Sequence, residues 1–192
     1  MTRALVLGTI LGGLVAFLWS SLSWEVLGWH EKTMVAFQNQ DQVSAVIDSH
    51  VTADGTYLLP AVPPTEGMTP EQRKQAQDTA MEKMQKGPIM VAAVRRRGFG
   101  SFSRALTIQL LSLMCAAFLL TWLLLQTSGL SYARRVAFLA IAGMAASVIV
   151  DLPNWNWWGF SGAYTAVNLA DSTITWLLAG LVIAKVARSR TS

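Results

Sequence analysis

The sequence predicts an all-α membrane domain of four transmembrane helices, with a small α/β lobe, ordered helix-strand-helix-strand, between the first two. Three observations predict it. Apolar runs fall at residues 4–24, 102–126, 136–152 and 169–184, each of a length suited to crossing about 30 Å of hydrocarbon. Residues 29–100 are instead polar and punctuated by proline and glycine. Across 192 residues, 53% are apolar and only 14% charged, well away from an average soluble domain. Backbone groups in lipid must satisfy one another, so the spans are expected as helices. The chain divides accordingly into a first span (1–28), the lobe (29–100) and the remaining three spans (101–192).

The first span reads as a retained anchor. Its apolar core of about twenty residues exceeds a secretory signal's, and no small-x-small cleavage site follows. Gly8, Gly12, Ala16 and Ser20 repeat every fourth residue. That spacing lays a groove of small side chains along one face, where another helix approaches closely. The partner is expected within this bundle or in a second chain, and Ala142, Gly143, Ala146 and Ser147 give the third span a matching surface.

Loop charges give an orientation. Arg3, Arg134, Arg135, Lys185, Arg188 and Arg190 cluster at the amino end, the connection 127–135 and the tail. The tryptophan-rich turn 152–160 carries no Lys or Arg. The positive-inside rule then places both termini in the cytoplasm and the lobe outside, in the periplasm of a cell with an inner membrane. Arg95, Arg96, Arg97 and Arg104 fall on the other side, but they end a long loop, where the rule loses force.

In the lobe, Asn39 and Gln42 read as a capping pair opening a helix with Val43, Val46, Ile47 and Val51 as its apolar stripe. Ala53-Asp54-Gly55 is a turn, and Tyr57-Leu58-Leu59 a short strand ended by Pro60. Thr69-Pro70-Glu71-Gln72 starts a second helix, with Thr69 as N-cap and Gln72 reaching back. It runs to Lys86 and stops at Gly87, with a thin apolar face of Ala76, Ala80 and Met84. Residues 89–94 form an unbroken apolar run, expected as a strand covered on both faces. Strand, helix, strand predicts a right-handed crossover with the strands parallel. So small a lobe buries little, and is expected to lean on the membrane, a second copy or another subunit.

Candidate chemistry gathers at one end of the spans. Glu25, Arg104, Asp151, Asn168 and Asp171 form a candidate polar membrane site, with Asn168 and Thr175 on the helix face of Asp171. An intramembrane carboxylate is costly unless paired, and marks a site for a proton, a cation or a basic group. The structural alternative pairs Asp171 with Arg104. Trp24, Trp29, Trp155, Trp157 and Trp158, with Trp19, form an aromatic belt at the interface. Such a platform also suits a flat apolar molecule such as a quinone or pigment. Arg95, Arg96 and Arg97 stand just before the second span, where cations attract lipid phosphates.

Metal and redox chemistry find little support. Cys115 is the single cysteine, and His30 and His50 are the two histidines, read as surface residues. No cofactor is expected. The net charge of +4 lies near span ends, which implies a lipid partner and no nucleic acid. Gly159-Phe160-Ser161-Gly162 resembles the Gly-x-Ser-Gly of the rhomboid intramembrane proteases, whose serine is activated by a histidine on a later span. No histidine follows His50, so this serine lacks a base and the glycines are read as flexibility. The reading is of a non-catalytic accessory or scaffold subunit partnered by the bilayer and by other membrane subunits or a second copy. The alternatives are a proton- or cation-coupled transporter using Asp171, and a quinone- or pigment-binding subunit.

Overall fold

The computed structural model describes residues 2–187, so Arg188 and Arg190 lie outside the described residues. Four long helices, α1 (Thr2–Glu25), α4 (Phe102–Leu125), α5 (Tyr132–Trp158) and α6 (Gly162–Val186), are each long and apolar enough to cross a membrane. Between α1 and α4 lie α2 (Gln40–His50), β1 (Gly55–Leu59), α3 (Pro70–Lys86) and β2 (Met90–Val94). Two compact units result: the long helices with the stretch up to Val35, and Ala36–Gly100 with Asn156–Gly159. The second unit thus begins at Ala36 rather than at residue 29.

In the helical unit, α1 packs against both α4 and α6. Small side chains make this possible. A Cβ on Gly8 would stand 2.5 Å from Thr121 Cγ2 of α4, and one on Gly12 would stand 2.6 Å from Ile183 of α6. Ala16 continues the face and is fully buried. The groove expected on α1 is therefore occupied within this chain. The third span does not supply its partner: Gly143 of α5 lies under Trp176 of α6, where a Cβ would meet the indole at 2.2 Å. Ser172 Oγ donates to the Gly143 carbonyl at 3.1 Å, which the missing side chain allows. The core joins Ala16, Ala117, Leu124, Leu139, Trp176, Ala179 and Ile183. Outward faces stay apolar, with Leu18, Leu111 and Ile149 exposed, as suits helices solvated by lipid.

Two helices are longer than their apolar runs. α5 begins at Tyr132 and continues through Pro153 to Trp158, so the expected turn 152–160 is mostly helix and the connection 127–135 is shorter. A proline interrupts one backbone bond, but spanning helices tolerate this when neighbours re-satisfy the freed carbonyl. The true turn is at Gly159, in the left-handed region at φ 74°. α6 starts at Gly162, before the apolar run, capped by Ser161 Oγ accepting from the Tyr164 N–H at 3.1 Å. Ser161 is thus a helix cap. Hydropathy finds lipid contact, not helix ends.

The lobe keeps the expected order but not the expected topology. β1 and β2 pair antiparallel, Gly55 opposite Val94 and Leu59 opposite Met90. The chain leaves and re-enters at the same end of the ribbon, so the α3 connection is an excursion and not a crossover. A crossover helix must lie across the sheet on a broad apolar face. Here Ala80 is buried, Ala76 and Met84 are half-buried, and the rest of α3 is exposed. For the same reason β2 is half-buried and not covered on both faces. The capping box of α3 forms as read: Thr69 Oγ1 accepts from the Gln72 N–H at 3.3 Å, and Gln72 Oε1 accepts from the Thr69 N–H at 2.9 Å. That of α2 does not. Asn39 is left-handed at φ 52° and its side chain caps nothing; its carbonyl accepts from Gln42 and Val43 instead. Val43 and Ile47 are half-buried and Val51 buried, but Val46 is exposed.

The α5–α6 approach at Gly143 is directly testable. Gly143→Leu should lower thermal stability in detergent by about 2 kcal/mol or more, because α5 and α6 must separate. Ala146→Leu, on an exposed position, should leave the melting temperature nearly unchanged.

Candidate functional site

Asp171 of α6 is the centre of the best-built polar cluster among the described residues. Its Oδ1 accepts from Trp19 Nε1–H at 2.7 Å and from Ser23 Oγ–H at 2.8 Å, both on α1. Its Oδ2 lies 3.3 Å from His30 Nε2. Ser23 Oγ also accepts from Trp29 Nε1–H at 2.8 Å and lies 3.2 Å from His30 Nε2. Trp24 stacks on His30 with ring centroids 3.9 Å apart and planes within 6°. Trp29 meets the same imidazole edge-on. Ser23 and His30 are buried, at 0% and 1% exposure.

Local sequence explains the convergence. Trp19 and Ser23 follow Gly12 and Ala16 along one face of α1, at i, i+4, i+7 and i+11, so the face packed against α6 becomes polar where α1 ends. After Glu25 the chain turns through Gly28, at φ 62°, into a short 3₁₀ turn (Glu31–Thr33) that folds His30 back onto the helices. Thr33 Oγ1 fastens that turn by donating to the His30 carbonyl at 2.7 Å.

Hydrogen-bond direction limits the chemistry. Serine–histidine nucleophiles need the carboxylate and the serine on opposite imidazole nitrogens. Here both Asp171 and Ser23 face Nε2, and Nδ1 is buried without a partner. The Ser23 proton points to Asp171, not to the imidazole. One ring nitrogen, Nε2, therefore faces both the hydroxyl and the carboxylate, so the imidazole cannot relay between them. A sealed serine that already donates to a carboxylate has no route to act as a nucleophile.

The other sequence-predicted residues do not join this cluster. Asp151 accepts from Ser147, one turn earlier on α5, and from Asn168 Nδ2 at 3.4 Å. Asn168 therefore serves Asp151, while Thr175 Oγ1 donates to the backbone carbonyl of Asp171 at 2.7 Å. Glu25 and Arg104 are exposed, and neither appears in an ion pair among the described residues. The expected Asp171–Arg104 pairing is thus replaced by Asp171 with His30. His30 corrects a second expectation, since it is buried; His50 is exposed as read.

The chain has no match. Comparison with known protein families, with curated proteins and with solved structures finds none for it. Its chemistry must be read from its own residues.

The aromatic and basic groups divide in the same way. Trp155, Trp157 and Trp158 are exposed along the end of α5, whereas Trp19 and Trp29 spend their N–H groups on the Asp171 cluster. In the lobe, Arg96 is a structural residue. Its guanidinium reaches Asp48 at 3.0 Å and the Thr52 carbonyl at 3.4 Å, and its N–H donates to Asp54 at 2.9 Å. Arg95 lies over the Phe99 ring at 6.0 Å, and Arg97 is exposed.

Two outcomes follow. Trp19→Phe removes one donor to Asp171 and should cost about 1–3 kcal/mol in thermal unfolding. Trp157→Phe, at an exposed indole, should cost almost nothing. Arg96→Ala should accelerate amide hydrogen exchange across β1 and β2 roughly fivefold, equivalent to about 1 kcal/mol for a partly exposed ion pair.

Proposed function

We propose that this chain is a non-catalytic accessory or scaffold subunit of a larger membrane assembly. In this reading it sits in a cell's inner membrane with both termini cytoplasmic and carries the Ala36–Gly100 lobe on the periplasmic side. The observation that carries the reading is the state of Asp171. Its carboxyl accepts from Trp19 and Ser23, faces His30, and is largely buried. Those are the contacts of a clasp that fixes α6 to α1 and to the stretch beyond it.

A transport route asks for something else: carboxylates arranged along one wet path. Asp151 instead bonds within α5 and to Asn168, on a separate set of contacts. The lobe supports a scaffold from a different direction. Leu59, Val62, Met81 and Ile89 are exposed large apolar side chains in a unit with little core of its own, the kind of surface a neighbouring subunit covers. Arg95 and Arg97, outside the Arg96 network, add cations suited to lipid phosphates near the start of α4.

Gentle extraction followed by native electrophoresis and mass spectrometry tests the reading. The chain should migrate with other membrane subunits in a larger particle. Asp171→Asn should loosen that particle and lower its melting temperature, while wild-type protein in proteoliposomes conducts no more protons or cations than empty vesicles. A carboxylate-dependent flux that Asp171→Asn abolishes would replace the scaffold with a transporter.

A further inference from the structure

Between β2 and α4 the chain makes a basic turn followed by one aromatic side chain. From Gly87 to Arg104 it carries Arg95, Arg96, Arg97 and Arg104 and no acid. The Gly98 N–H donates to the Arg95 carbonyl at 3.1 Å, closing a turn with Arg96 and Arg97 at its centre. The three arginines of that turn are used differently. Arg96 is committed to Asp48, Thr52 and Asp54. Arg95 and Arg97 are exposed, and neither guanidinium makes a hydrogen bond or ion pair among the described residues. Arg95 lies over the Phe99 ring at 6.0 Å. Stacking uses the flat face of a guanidinium and leaves its N–H edge open to an anion.

Phe99 itself is 62% exposed. Gly98 and Gly100 flank it in the left-handed region, at φ 74° and 78°, and a Cβ on either would meet nothing within 4 Å. Glycine is therefore needed there for backbone direction, not for packing. A ring turned outward beside two open cations suits the boundary between lipid headgroups and acyl chains. The chain path leads to that boundary. Phe99 precedes Phe102, the first residue of α4, by three positions, a reach of at most about 11 Å. α4 has 24 residues, about 36 Å against a hydrocarbon layer of about 30 Å, so a spanning α4 begins at the membrane surface.

We propose that Arg95, Arg97 and Phe99 form a lipid-anchoring tip, with the Phe99 ring seated among the upper acyl carbons and the two guanidiniums on the phosphates of anionic phospholipids. The occupant follows from charge and position. Two cations without an acidic partner and one apolar ring, tethered within a few residues of a spanning helix, match a phosphodiester lying above hydrocarbon. Arg96 takes no part, because its donors already hold α2 and the β1 turn. The tip also meets a need of the lobe, whose own core is small: it fixes the end of β2 to a surface. This inference rests on α4 being a membrane span, and it names the lipid that the lobe of the scaffold engages.

The test places the full-length chain in phosphatidylcholine nanodiscs, with trifluoromethyl-phenylalanine in place of Phe99 as a fluorine reporter. Phospholipid spin-labelled at the headgroup end of its acyl chain should broaden the fluorine signal strongly, and an aqueous nickel chelate only weakly. At equal mole fraction, spin-labelled phosphatidylglycerol should relax the reporter roughly three- to tenfold more than spin-labelled phosphatidylcholine. Arg95→Gln with Arg97→Gln should bring the two lipids level, while amide exchange in β1 and β2 stays as in the parent because Arg96 is intact. The same reporter at Leu111, an exposed position about 13 Å along α4, checks the span itself and should see lipid but not nickel. Three outcomes overturn the tip while leaving the span in place: nickel rather than lipid relaxing the reporter at Phe99, the two lipids acting alike in the parent, or a preference that survives the double substitution. Nickel reaching Leu111 would overturn the span and the tip together.

Discussion

Helices in a bilayer gain nothing from hiding apolar surface, because lipid is as apolar as leucine. What holds them is close contact, and in this chain close contact depends on α1. Its small-residue face admits Thr121 from α4 and Ile183 from α6 at distances a Cβ would forbid. α6 in turn brings Trp176 over Gly143 of α5. Remove the groove on α1 and both of its neighbours lose their seat. Dispersion forces are individually small, so geometry this tight is what makes them add up.

Where that groove ends, packing gives way to polar bonding. The same face of α1 continues as Trp19 and Ser23, and α6 meets it with Asp171. A carboxyl group in apolar surroundings would be expensive alone, but here it has two donors and an imidazole beside it. The cost of burial thereby becomes a source of specificity. Sliding α6 by one residue would strand Asp171 without donors, so the cluster fixes register where small side chains alone would allow slippage. His30 extends the lock beyond the membrane helix, pinned between the rings of Trp24 and Trp29.

Much of the fold was legible because hydropathy and capping are local. Four spans, the Thr69–Gln72 capping box and the Gly87 stop can all be read from a few adjacent residues. Helix ends were not, since Tyr132-Ala133-Arg134-Arg135 and the stretch from Pro153 to Trp158 are helical without being uniformly apolar. Strand direction was not legible either, because it depended on how broadly α3 packs. The site was half legible. Asp171 stood out as a carboxylate in a span, but its partners come from α1 and the segment after it, 141 to 152 positions away. One signal was available: Trp19 and Ser23 continue the face of Gly12 and Ala16. His30 gave no such sign, since only the turn at Gly28 brings it back.

That separation in sequence bears on how the protein is made. Synthesis delivers α1 well before α6, because Trp19 and Asp171 stand 152 positions apart. The contacts of Arg96 in the lobe are shorter in range, 42 positions from Asp54 and 48 from Asp48. α1 must therefore wait with its notch half filled and its indole and hydroxyl donors unanswered until α6 has been made. Nascent chains halted before α6 would leave an incomplete bundle with an open seam, the form that membrane quality control is equipped to recognise.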